Sequence, residues 1–210
     1  EHGTSMAAPI VSFAAALLWR YGGDWTPVQI RDRLYASAAV VDAEMLAAAN
    51  NEKEREKLRA RARMVEHGRV LDIPSALAIF DDVVTFAKLE DGESSRAEPP
   101  RRAFGTILSP ESITCGDQTI ERPRLRRIVP RFIDHMGEEK FLVYFSEARA
   151  DPDDGGERRL AGHSEIKSDL KSATCDRATM AALTFIFRPD GSAAEESYEI
   201  GRIRSIVFRK

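Results

Sequence analysis

The nine residues EHGTSMAAP, Glu1–Pro9, set a serine directly before a long apolar run. A hydroxyl is a poor nucleophile at neutral pH. A serine that attacks a carbonyl needs a base to take its proton and hydrogen-bond donors to hold the oxyanion that forms. Ser5 stands where coil gives way to a predicted helix. The first backbone N–H groups of a helix have no intrahelical acceptor, and the dipole is positive at that end, so both favour a developing negative charge. Gly3 lets backbone and substrate approach closely, and Ala7 and Ala8 leave the first turn uncrowded. The same position also suits a plain N-cap, supplied by Ser5 or by Thr4 before it.

The whole string decides between these two readings. Gly3, Thr4, Ser5, Met6, Ala7, Ala8 and Pro9, followed by an apolar helix, resemble the catalytic-serine motif of the subtilisin-like serine proteases, the subtilases (peptidase S8 family). A long apolar helix, a helix opened by Thr26-Pro27, and the strand-then-helix text GRVLDIPSALA are similar to the end of a subtilase catalytic domain. The resemblance spans about residues 1–82. It implies a serine endopeptidase acting on a protein or peptide substrate, with Ser5 as nucleophile and its backbone N–H contributing to the oxyanion hole. In that family the triad runs Asp, His, Ser along the chain. The aspartate, the histidine and the oxyanion-hole asparagine are therefore expected upstream of Glu1, and activity is expected of the intact protein only. The segment from about Val41 to Glu66 is longer than the loop many subtilases have there, which bears on the local surface and not on the nucleophile.

The resemblance implies no redox or nucleotide cofactor. Many relatives use calcium, but no ligand set is identifiable here, and the relatives are mostly exported. His2, three residues before Ser5, does not occupy the position of the triad histidine, His67 reads as a surface residue ahead of the Gly68 strand, and His135 and His163 have no acidic partner at a telling spacing. The alternative function is a catalytically inactive protease-like scaffold, or a binding module acting through the C-terminal part of the chain.

The elements that must position Ser5 follow from the pattern around it. Met6 to about Tyr21 is apolar on every side, which predicts a helix surrounded by protein, ended by Gly22 and Gly23. It is too short, and too interrupted by Ser12 and Pro9, for a bilayer span. Thr26 as N-cap and Pro27 at the first position open a second, amphipathic helix with Ile30 and Leu34 on one face. Residues 43–64 predict a solvated helix in which Glu52 with Arg55 and Glu56 with Arg59 pair at i,i+3. A short strand at Val70 and Leu71 and a helix from Pro74 through Phe80 complete this part. The polar stretch 89–102, with Gly92, Pro99 and Pro100, is the expected linker.

After it, RRIVPRFID, KFLVYFSEA, MAALTFIFR and IRSIVFRK are β-branched and aromatic runs, and PDGS at 189–192 supplies a turn. The fold class is thus an α/β remnant over residues 1–88, followed by a small, mostly antiparallel β-rich accessory domain over 103–210 whose partner the sequence does not name. The basic text RPRLRRIVPR, Arg122 to Arg131, reads as a strand with one wet face rather than as an anion site. Asp151 to Glu157 reads as a solvated loop rather than a calcium loop. Cys115 and Cys175 are open to pairing or to remaining two thiols. A net charge of −3, with 43% hydrophobic and 31% charged residues, carries no signal for nucleic acid, and no membrane anchor is visible.

Overall fold

Helix signals and turn glycines punctuate the first part of the chain as the sequence leads one to expect. In the computed structural model, residues 4–23, 25–64, 69–87, 101–134, 136–147, 169–175, 180 and 183–209 are described, residues 4–6 by backbone alone. Helix α1, Thr4–Gly22, ends at Gly23, whose φ of 63° is the left-handed conformation that glycine adopts without strain. Helix α2, Pro27–Ser37, opens with a full capping box. The Gln29 N–H donates to Thr26 Oγ1 at 3.3 Å, and the Thr26 N–H donates to Gln29 Oε1 at 2.9 Å.

Residues 43–64 form two helices instead of one: α3, Ala43–Ala48, and α4, Glu52–Met64. Asn51 supplies a fresh start signal, its Oδ1 accepting from the Glu54 N–H at 3.0 Å. Helix α4 buries none of its residues and carries the expected Glu52–Arg55 and Glu56–Arg59 pairs, along with Glu52–Arg59 and Glu56–Arg63 at 2.7 Å each. The expected strand at Val70 reduces to one antiparallel bridge with Ala39. Helix α5, Ile73–Leu77, is capped by Asp72 and stops short of Phe80, which is 74% exposed.

The rest is an antiparallel sheet. Its strands are β1 (Asp82–Phe86), β2 (Arg102–Ser109), β5 (Leu125–Ile133), β6 (Glu139–Ser146), β7 (Leu170–Cys175), β8 (Thr184–Pro189), β9 (Glu196–Glu199) and β10 (Ile203–Val207). They lie in the order β7-β6-β5-β10-β1-β2-β8-β9. A separate hairpin joins β3 (Ser112–Cys115) to β4 (Gln118–Glu121). The four runs read from sequence are β5, β6, β8 and β10. Strand β1, which precedes the expected linker, sits inside the sheet between β10 and β2, so residues on both sides of 89–102 build one ladder. Gly105 of β2 faces Pro189 of β8 at a crossing where an added Cβ would lie 2.1 Å from the Arg188 carbonyl oxygen.

One face of the sheet gathers Val84, Ile107, Ile128, Phe141, Val143, Phe185, Phe187 and Ile206 into the main core, which the hairpin joins through Ile113 and Ile120. Cys115 and Cys175 are bonded to each other, fastening the hairpin to β7. The opposite face is covered by residues 38–42, with Val40 against Val129, Phe132, Leu142 and Tyr144. Both faces of β5 are therefore covered, which corrects the expectation of a wet face: Arg127 is only 4% exposed. No helix among the described residues is long and apolar enough to cross a membrane.

Candidate active site

Ser5 lies in the first turn of α1, directly after Thr4, where backbone N–H groups have no helical acceptor; that turn carries no acidic residue. A developing negative charge there would meet the positive end of the dipole and no carboxylate from within that turn. Pro9, the sixth residue of the helix, removes one further donor from the ladder. The side chain of Ser5 lies outside the described residues, as do His2, His67, His135, His163 and the loop Asp151–Glu157. No group of three or more histidine, cysteine or acidic side chains with metal-binding geometry occurs among the described residues.

The helix that presents Ser5 is not surrounded by protein within this chain, contrary to the expectation from its composition. Of its described side chains only Ala14 and Leu18 are fully buried, while Phe13 and Trp19 are 61% and 62% exposed, and Ile10, Val11 and Tyr21 are exposed with them. The reason is that, among the described residues, its buried contact is a narrow one with α2, α5 and the turn after it, through Ile30, Leu34, Ala76 and Ile79. Beside that contact runs a groove of about 890 Å³ lined by Val11, Ala15, Trp19, Ile30, Leu34 and Tyr35. An apolar surface of this kind is uncommon on a monomer.

What holds α2 and α5 in place is a set of arginines that sequence reasoning missed. Arg33 of α2 is buried and donates to four backbone carbonyls. Nε reaches Ala76 at 3.0 Å, Nη2 reaches Ser75 at 2.9 Å and Ala78 at 2.6 Å, and Nη1 reaches Phe208, after β10, at 2.6 Å. Burial, with the neighbouring Arg126 acting the same way, lowers its pKa to about 10, so it remains a cation at neutral pH. Arg127 of β5, also lowered to about 10 by burial, donates to the carbonyls of Ala36, in the last turn of α2, and of its C-cap Ala38. Arg204 of β10 meets Asp42, the N-cap of α3, at 2.6 Å, with Glu44 at 3.5 Å. The signal for Arg33 was present: Ile30, Arg33, Leu34 and Ser37 fall at i, i+3, i+4 and i+7 on one face, and a cation inside an apolar stripe needs a buried set of acceptors.

The arginines of the 122–131 cluster are likewise engaged within the chain. Arg122 donates to the Ile107 carbonyl, Arg124 to that of Ser146, and Arg126 to those of Pro123 and Leu125, while Arg131 pairs with Glu139 at 3.2 Å.

Residues 1–67 match the model of the subtilase family, Peptidase S8. No curated protein and no solved structure matches the chain. The match takes in the GTSMAAP string, α1 and α2, together with the α3–α4 segment, and leaves α5 and the whole sheet outside it. Over residues 1–67, then, this chain is similar to the subtilases, a family of serine proteases, and the likeness is confined to that segment.

Proposed function

We propose that this chain is the C-terminal part of a subtilisin-like serine endopeptidase in which Ser5 is the nucleophile. The observation that carries the reading is the GTSMAAP string at the start of α1, inside the segment with subtilase likeness. The exposed apolar surface of α1 supports it, since a catalytic domain completed by upstream residues would cover that surface.

In the intact enzyme the Ser5 hydroxyl adds to the scissile carbonyl as an upstream histidine takes its proton. The oxyanion is held by the Ser5 backbone N–H and an upstream side chain. The intermediate collapses, the C–N bond breaks, and the histidine returns the proton to the leaving amine. Water then cleaves the acyl ester by the same route in reverse. An upstream aspartate keeps the imidazole in the tautomer this requires. Residues 1–88 are on this reading the end of the catalytic domain, and 103–210 an appended segment. Calcium and other cofactors have no step in this scheme, and export is the localisation that fits the relatives.

The test is a fluorophosphonate probe applied to the protein with its upstream residues. We expect one site to be labelled and Ser5→Ala to abolish labelling. An intact, folded protein that takes up no probe overturns the enzyme reading in favour of an inactive scaffold.

A further inference from the structure

We infer that the sheet is the support on which the nucleophile helix is positioned, with Arg33 as the positioning residue. The catalytic half of this inference rests on the reading of Ser5 above, whereas the structural half does not. Helix α1 touches the rest of the described chain through a narrow face whose fully buried side chains are Ala14 and Leu18, and the surface they rest on is Ile30 and Leu34 of α2 with Ala76 and Ile79 in and after α5. Within the described chain the place and tilt of α1 therefore follow the relation between α2 and α5.

Arg33 sets that relation. Three of its four acceptors are carbonyls of α5 and its C-terminal end, Ser75, Ala76 and Ala78, and the fourth is the Phe208 carbonyl one residue past β10. The last carbonyls of a helix lack intrahelical donors and lie at the negative end of its dipole, so a cation belongs there. A planar guanidinium with five donors in fixed directions ties the two segments in one geometry, which a lysine ammonium on a flexible stem cannot do.

The other two contacts repeat the design from the sheet side. Arg127 of β5 holds the Ala36 and Ala38 carbonyls at the C-terminal end of α2, and Arg204 of β10 holds Asp42. Strand β1, entering the sheet only a few residues after α5, makes the connection short and covalent as well. The mechanical path runs from β10 through Arg33 to α2 and α5, then to Leu18 and Ala14, and on toward Ser5, about 14 Å along the helix axis at 1.5 Å per residue. On this view the β-rich segment is not a tethered accessory; it fixes where the hydroxyl sits.

The experiment compares Arg33→Met and Arg33→Lys with wild type in the protein that includes the upstream residues. Fluorophosphonate labelling is followed for both its rate and its final extent, and amide hydrogen exchange is followed by mass spectrometry. We expect the final extent to be unchanged while the rate falls tenfold or more in Arg33→Met and by less in Arg33→Lys. Exchange in α2 and α5 should accelerate at least tenfold while β6 keeps its protection. A reduced extent at the wild-type rate means that Arg33 only keeps the chain folded, and it overturns the positioning role, as does an unchanged rate. Should Arg33→Met fail to fold, Arg33→Lys decides by the same readings. Should wild type take no label, the reading of Ser5 fails, yet the exchange data still judge the support: unaltered protection of α2 and α5 in the variants overturns it.

Discussion

At the scale of single residues, the buried charges among the described residues are the arginines Arg33 and Arg127, which bridge segments, and the carboxylates Asp42 and Asp82. Asp82, 3% exposed at the start of β1, accepts from the Ile107 N–H at 2.6 Å and the Arg209 N–H at 2.7 Å. Burial raises its pKa, outweighing those two donors, which act to lower it. A carboxyl whose folded pKa is raised contributes stability that is complete below its unfolded value of about 4 and is lost as pH rises through the folded value. Asp82→Asn removes that contribution. The stability difference between wild type and Asp82→Asn, from urea midpoints, should therefore favour wild type more at pH 4 than at pH 7; a difference independent of pH would contradict this.

Asp42 and Arg204 illustrate the other case. Burial lowers the Arg204 pKa, but Asp42 and Glu44 together hold it above its ordinary value. Asp42→Ala leaves the guanidinium without its main partner and uncaps α3, where the Met45 N–H donates to Asp42 at 2.8 Å. We expect a loss of about 3 kcal/mol in chemical denaturation, much of it recovered when Arg204 is also replaced by leucine.

At the scale of elements, helix starts were the most legible feature. Thr26-Pro27 and the glutamine three residues after the cap encode the start of α2 locally, through hydrogen bonds within four residues of chain. Thr26→Ala should cost about 1 kcal/mol, read as a shift in thermal midpoint. The aspect of α1 was not legible, because composition reports what a helix prefers to touch and not what is there to touch it. Phe13→Ser in this chain alone should change stability by less than about 0.5 kcal/mol, as for other exposed sites, and should raise solubility. In the protein with its upstream residues the same substitution should destabilise by about 3 kcal/mol, the cost of a large apolar side chain removed from a core. Equal small effects in both would show that α1 stays uncovered. Strand β2 escaped reading because Gly105 interrupts the apolar text RAFGTILS, yet the close crossing with β8 demands that glycine. Gly105→Ala should cost about 2 kcal/mol by forcing the two backbones apart.

At the scale of the whole molecule, the sheet is closed off by a covalent tie. Cys115 and Cys175 enclose a loop with a sequence separation of 60, and loop-closure entropy gives such a bond about 4 kcal/mol over the reduced chain. Reduction should therefore lower the urea midpoint substantially and free the β3–β4 hairpin from β7, seen as faster amide exchange in the hairpin. Pairing could not be read from the sequence, since two cysteines far apart in the chain are brought together only by the path of the strands between them. The stretch expected to be a linker, 89–102, marks a change of composition, but not the edge of the sheet: β1 lies on its N-terminal side and still pairs with β10, the last strand described.

The candidate nucleophile, its place at the start of a helix, the capped start of α2 and four of the strands were all written in the sequence, because each depends on chemistry among residues a few positions apart. The tertiary structure alone decided that Arg33 joins α2 to α5 and to the end of β10, that Arg127 is buried, and that the cysteines are bonded. It alone placed β1 inside the sheet. Those outcomes depend on which distant backbone carbonyls and side chains meet, and a linear pattern records that an arginine must be satisfied without recording by what.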